Sequence, residues 1–394
     1  MPMIEPRHRL LFLALFGIFT VFGTSMTIIG AALPKILASF GWSYLIAGMV
    51  LAANAIAYFI FTFVGGHAIR VVGPKVTITA GMLIAALGLM FFAATPDPLT
   101  NILLSGLIGV GQGFVEITVN WATLRLDTAK SGRPMNLMHG AFAVGAIAWP
   151  LALGVLLQFG FDWITVYHGM SVIFAALALV VLLLAMPEAE TVPEPDEVPV
   201  RLTAHPAYWL SFLALFFYVG VELGVSNWLA EYFVAVFAYP PEDSALLVSL
   251  FWVGLLAGRF GVPMLYHGER QDRLLVGFSA LSTLAIGGLS LLGFLPIIAL
   301  SHWLGLGLVF LAGLGSSIFY PAVITLLGAC FARAQSQAIG FAAMGGGVGA
   351  FVFPFMMSAL SQGWGIRAGF ATYAVFGVAM TAAALGLSIA ARRR

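Results

Sequence analysis

Apolar residues along this chain run in long blocks separated by short polar or Gly/Pro breaks. They fall at residues 10–33, 44–66, 75–94, 99–123, 136–158, 163–186, 207–233, 244–266, 273–295, 302–327, 337–360 and 367–390. About 20 apolar residues in a helix cross a hydrocarbon core of roughly 30 Å. A helix also satisfies its own backbone hydrogen bonds there. The alternation of apolar and polar positions that marks an outer-membrane barrel is absent. The pattern predicts an all-α integral membrane protein with twelve transmembrane helices.

Charge placement tests that count. With a cytoplasmic N-terminus, the inner side collects Arg7, Arg9, Arg70, Lys75, Arg125, Lys130, Arg133, Arg201, Arg259, Arg270, Arg273, Arg333 and Arg392, Arg393 and Arg394. Only Lys35 and Arg367 fall outside. This is the positive-inside bias, and an odd number of spans would scramble it. The expectation is a multi-pass protein of the cytoplasmic (inner) membrane with both termini cytoplasmic.

Composition narrows the class. The chain is 61% hydrophobic and 8% charged, against roughly 25% charged in soluble domains. Charges are too sparse for a nucleic-acid surface. Cys330 is the single cysteine, so no intramolecular disulfide is possible. The histidines and Cys330 show no zinc spacing. No nucleophile–base pairing stands out, and no enzyme activity is expected. The Gly111-x-Gly113 pair lies inside a predicted membrane helix, with no strand before it, so it is no phosphate loop.

The chain divides in the middle. Pro187–Pro206 is rich in acidic residues and proline, a composition that cannot pack a core. It reads as a cytoplasmic linker (187–206) between an N-terminal bundle (1–186) and a C-terminal bundle (207–394). The halves repeat. Gly109-x-Gly111 recurs as Gly313-x-Gly315, and GAIAWP from Gly145 recurs as GAFVFP from Gly349, both at an offset of 204. Parallel repeats of this kind build the two halves of one large transporter class.

Ionisable groups inside spans carry the functional signal, because each costs roughly 2.5–3.5 kcal/mol or more at mid-bilayer. Glu116 lies in span 4 with Asn120 one turn on, next to Trp121. Glu222 lies in span 7, with Tyr218 one turn before, Ser226 and Asn227 after, and Trp228 beside them. Helical spacing puts Glu116 with Asn120, and Tyr218 with Glu222 and Ser226, on common faces. The functional reading is a polar, aromatic-lined cavity between the halves, with substrate contacts from Glu116, Asn120, Trp121, Tyr218, Glu222, Asn227 and Trp228. The bland reading makes these acids helix-to-helix glue. The 204 offset places Tyr320 where span 4 carries Glu116, and so on the same cavity. His139, in the first turn of span 5, is either a coupling group or a local hydrogen-bonder. Glu231, near the outer end of span 7, reads as solvated. Trp149 and Trp252 read as packing.

The segments GVGQGFVEITVNWATL (from Gly109), NLMHGAFAVGAIAWP (from Asn136), YVGVELGVSNWLAEYF (from Tyr218) and SSIFYPAVITLLG (from Ser316) resemble the fucose–galactose–proton symporter branch of the major facilitator superfamily. That branch includes fucose permease and sodium-dependent glucose transporter-like proteins. The resemblance implies two pseudo-symmetric six-helix bundles and a sugar carrier working by alternating access. It implies no cofactor, only a transmembrane proton or sodium gradient. The expected partners are a small-molecule sugar and the lipid bilayer, with the carrier acting as a monomer. It makes Glu116 the binding and coupling glutamate. The branch's helix 1 aspartate falls on Gly30, and His139 falls on its glutamine, so coupling is shared among Glu116, His139 and Glu222. In the loop after span 2, GHAIRVVGPK keeps Gly66, Gly73 and Lys75 of the superfamily pattern. It puts Arg70 where the pattern has aspartate. Arg259 resembles the second-half gate arginine, giving gating residues Arg70, Lys75 and Arg259. Sodium symport, uncoupled facilitation, drug or lipid export, and a non-transporting sugar sensor are the rival readings.

Overall fold

A computed structural model describes residues 4–5, 8–127, 133–187, 202–266, 270–331 and 334–392. Most of the expected linker, 187–206, lies outside these residues.

The described chain forms thirteen α-helices. They are α1 (Arg9–Phe40), α2 (Tyr44–Val72), α3 (Pro74–Phe91), α4 (Pro98–Leu126), α5 (Arg133–Gln158), α6 (Trp163–Leu183), α7 (Pro206–Phe237), α8 (Pro241–Leu265), α9 (Gln271–Phe294), α10 (Ala299–Ser316), α11 (Phe319–Cys330), α12 (Gln335–Trp364) and α13 (Ile366–Arg392). Twelve spans are long and apolar enough to cross a membrane, with α10 and α11 together making one. The expected spans are all present, and several helices run past the apolar blocks.

Prolines set where helices begin. Pro74, Pro98, Pro206 and Pro241 each sit in the first turn, where the missing N–H has no intrahelical partner to lose. Asp97 caps α4 by accepting from the Thr100 amide at 2.7 Å, satisfying an otherwise orphaned donor. α1 stops at Gly41, whose φ of 63° is left-handed, a conformation without steric cost for glycine.

The chain forms two compact units. One comprises Met1–Trp42 and Met49–Val192; the other comprises Ser43–Gly48 and Pro193–Arg394. In the first unit α1 packs on α5, and α3 packs on α4 and α6. In the second, α7 packs on α12 and α13, and α10 packs on α8 and α9.

The internal repeat has a steric meaning. A Cβ on Gly145 would stand 1.8 Å from the Thr20 carbonyl oxygen of α1, and one on Gly349 would stand 2.0 Å from that of Phe216 in α7. Likewise Gly109 would meet Asn54 O at 2.2 Å, and Gly313 would meet Phe251 O at 1.9 Å. The same two backbone-to-backbone crossings therefore occur in each unit. Small residues at such crossings drive packing in lipid, where no hydrophobic effect separates helix from solvent.

The outer surface is apolar. Leu183 and Leu265 are each 87% exposed, and Phe159, Leu284 and Trp303 follow closely. Hydroxyls, by contrast, are turned inward. Ser105 donates to Val50 O (2.8 Å), Ser171 donates to Ala86 O (2.7 Å), and Ser282 meets Ser316 (3.1 Å). This is the arrangement of a protein whose solvent is hydrocarbon.

One span departs from the expected continuous helix. Span 10 breaks after Ser316 and resumes at Phe319. Pro321 supplies the reason. It has no N–H, so the carbonyl four residues earlier, at Ser317, loses its helical donor.

Candidate functional site

The first unit assembles its polar cluster on α4. Gln112, Glu116 and Asn120 are spaced four residues apart and so share a helix face. Glu116 remains partly exposed. The Tyr58 hydroxyl, from α2, donates to Glu116 Oε2 at 2.5 Å. Among the described residues Glu116 forms no ion pair. Gln112 is fully buried and donates from Nε2 to Ser25 Oγ of α1 at 3.0 Å. Among the described residues, Gln112 Oε1 and Asn120 Oδ1 are buried without a hydrogen-bond partner. An unpartnered buried acceptor costs about 1–3 kcal/mol unless something fills it.

Aromatic rings wall this cluster. Tyr58 lies against Phe22 (ring centroids 6.3 Å apart), which stacks on Phe19 at 5.1 Å and meets Phe142 at 5.7 Å. His139 is exposed and sets its ring edge-on to Phe19 at 6.0 Å. Trp121 lies under Arg125, whose guanidinium carbon is 4.6 Å from the ring centroid. Arg70 is exposed in the last turn of α2, and Lys75 is partly buried in the first turn of α3.

The second unit builds a different cluster on α7. Tyr218 and Glu222 are buried, and the Tyr218 hydroxyl donates to Glu222 Oε1 at 2.9 Å. The Arg259 guanidinium, from α8, lies near enough for its charge to act on Glu222 and Tyr218. Arg259 Nε also donates to Ser317 O at 3.3 Å. Tyr218 stacks flat on Phe319, with centroids 4.7 Å apart and planes 4° apart. Tyr320 follows, 37% exposed.

Other expected residues sit differently. Trp228 is wholly buried, its ring against Tyr44 at 5.7 Å and its Nε1 without a hydrogen-bond partner among the described residues. Asn227 is partly exposed. Trp252 does more than pack, donating from Nε1 to Ser226 Oγ at 2.9 Å. Glu231, expected to be solvated, is 7% exposed and accepts from the Tyr44 hydroxyl at 3.0 Å. Burial there follows from the start of α2, Ser43–Gly48, which packs with the second unit. Among the described residues no cluster of three or more His, Cys, Asp or Glu could hold a metal.

Sequence reasoning missed Tyr58, Gln112 and the break beside Tyr320. Pro321 was the available signal for the break. Tyr58 left none, since 58 residues separate it from Glu116.

The model of the Major Facilitator Superfamily matches residues 15–300. The chain belongs to this superfamily. The facilitator fold is also that of a D-xylose–proton symporter structure (TM-score 0.74, 15% identity, 96% of each chain covered). A nucleoside transporter structure shares it too (TM-score 0.78, 12% identity, 96% of this chain and 98% of that one). Among sequence relatives of this facilitator, a putative glucose/galactose transporter of Helicobacter pylori is 24% identical over 363 residues, 86% of each chain. A glucose/galactose transporter of Brucella abortus is 24% identical over 336 residues, 80% of this chain and 78% of the relative. A glucose/mannose transporter of Bacillus subtilis is 24% identical over 274 residues, 64% and 63%. The resemblance to the sugar-carrying branch, drawn above from motifs in spans 4, 5, 7 and 10, is borne out.

Proposed function

We propose that this protein carries a hexose or similar small polyol across the cytoplasmic membrane by alternating access, in symport with protons. The relatives named as glucose/galactose transporters support the substrate class. The observation that carries the mechanism is the contrast between two membrane acids. Glu222 is matched by Arg259, a fixed positive charge. Among the described residues Glu116 has only the neutral Tyr58 donor, and it is partly exposed. A carboxyl without a counter-charge in a membrane protein is the group that gains most from binding a proton. Glu116 and Asn120 offer acceptors to sugar hydroxyls, and the adjoining aromatic rings offer flat apolar faces to C–H groups. The proton gradient is the energy source in this reading, the carrier works as a monomer, and both termini lie in the cytoplasm.

The test is Glu116→Gln in proteoliposomes. Gradient-driven accumulation of D-glucose or D-galactose should disappear, while exchange of sugar across the membrane without a gradient persists. Undiminished accumulation in the variant would remove Glu116 from coupling.

A further inference from the structure

Arg259 occupies an unusual position in the second unit. It donates from Nε to the Ser317 carbonyl at 3.3 Å, and its charge acts electrostatically on Glu222 and on Tyr218, which are themselves hydrogen-bonded to each other. That carbonyl is the one Pro321 leaves without a backbone donor, because residue 321 has no N–H to return to residue 317. Ser317 is fully buried, so water is a poor substitute, and an unmet buried carbonyl is costly. Space for the contact is made by Gly258, where a Cβ would stand 2.0 Å from Ser317 Oγ. The far side of the break is held as well, by Tyr218 stacked on Phe319.

We propose that Arg259 is a positioning residue that fixes the break in span 10, by donating to the buried Ser317 carbonyl orphaned by Pro321. Tyr320 stands directly after the break, and its direction is set through this contact. The role differs from a gate at a loop. Arg259 acts on the geometry of a helix, and through it on how a sugar is held. Lysine cannot replace it, since an ammonium on a flexible stem lacks the rigidly placed Nε–H that meets the Ser317 carbonyl. The inference deepens the carrier reading above and rests on it for its transport arm.

Hydrogen exchange gives an arm that needs no substrate. The full chain, purified in detergent, is compared with Glu222→Gln/Arg259→Gln, which removes both charges and leaves no uncompensated ion. Peptides covering residues 314–322 should exchange about tenfold faster, the scale of one lost charge-assisted hydrogen bond. Adding Pro321→Ala restores the backbone donor and should return exchange toward the wild-type rate. Unchanged exchange in the double variant, or acceleration that Pro321→Ala fails to reverse, overturns the proposal. In liposomes, Arg259→Lys should raise the KM for D-glucose or D-galactose about tenfold by the same loss, with Vmax within about threefold. A purely structural role would lower the amount of folded carrier, and so Vmax, and leave KM in place; that outcome also overturns the proposal. If the wild-type protein transports neither hexose, the carrier reading fails, and the exchange measurement alone decides the role of Arg259.

Discussion

At the scale of single residues, the informative fact is what each acid has beside it. Glu116 and Glu222 stood out in the sequence because carboxyls are rare in apolar spans. Their neighbours did not stand out. Tyr58 and Arg259 lie on other helices, and nothing along the chain links them to their partners. The Tyr58 hydroxyl is the one donor to Glu116 among the described residues, so Tyr58→Phe isolates its role. We expect hexose uptake by this variant to fall about tenfold, the scale of one charge-assisted hydrogen bond, with little change in melting temperature because the ring stays packed on Phe22. Uptake equal to wild type would show that Glu116 needs no such donor. Glu231 teaches the converse lesson. Its place near a predicted span end suggested water, yet it is buried against Tyr44. Depth along a helix says nothing about which face of that helix is covered.

At the scale of elements, glycines fix which helices touch. Gly145 and Gly349 lie at equivalent crossings, each against a carbonyl of the neighbouring helix. Gly307 has nothing within 4 Å of its would-be Cβ. Gly349→Leu should therefore destabilise the second unit by at least the 1–3 kcal/mol or so typical of overpacking, seen as a lower melting temperature in detergent. Gly307→Leu should leave it unchanged. Equal behaviour of the two variants would refute the crossing. The repeat at offset 204 was legible because the glycines are part of the sequence pattern. The break in span 10 was hidden inside a continuous apolar block. Periodicity reports which residues prefer lipid, and a broken helix of the same composition has the same signature.

At the scale of the whole molecule, we propose that the distribution of Lys and Arg orients the chain with both termini in the cytoplasm. Asp162 is exposed between α5 and α6, and Gln271 is exposed at the start of α9. In a Cys330→Ser background, Asp162→Cys should react with a membrane-impermeant maleimide in intact cells, and Gln271→Cys only after permeabilisation. Both reacting from outside would invert or abolish the proposed topology.

The chain alone determined the solvent, the number of spans, the duplicated plan and which acids stand inside apolar spans. Each of these follows from transfer free energies and helix geometry, which depend on residue type and spacing. The tertiary structure decided which of those acids lies within the field of an arginine and which, among the described residues, has a tyrosine as its hydrogen-bond donor. It also decided which donor serves the carbonyl that Pro321 leaves open. Such pairings join helices far apart along the chain, and a local pattern carries no record of them.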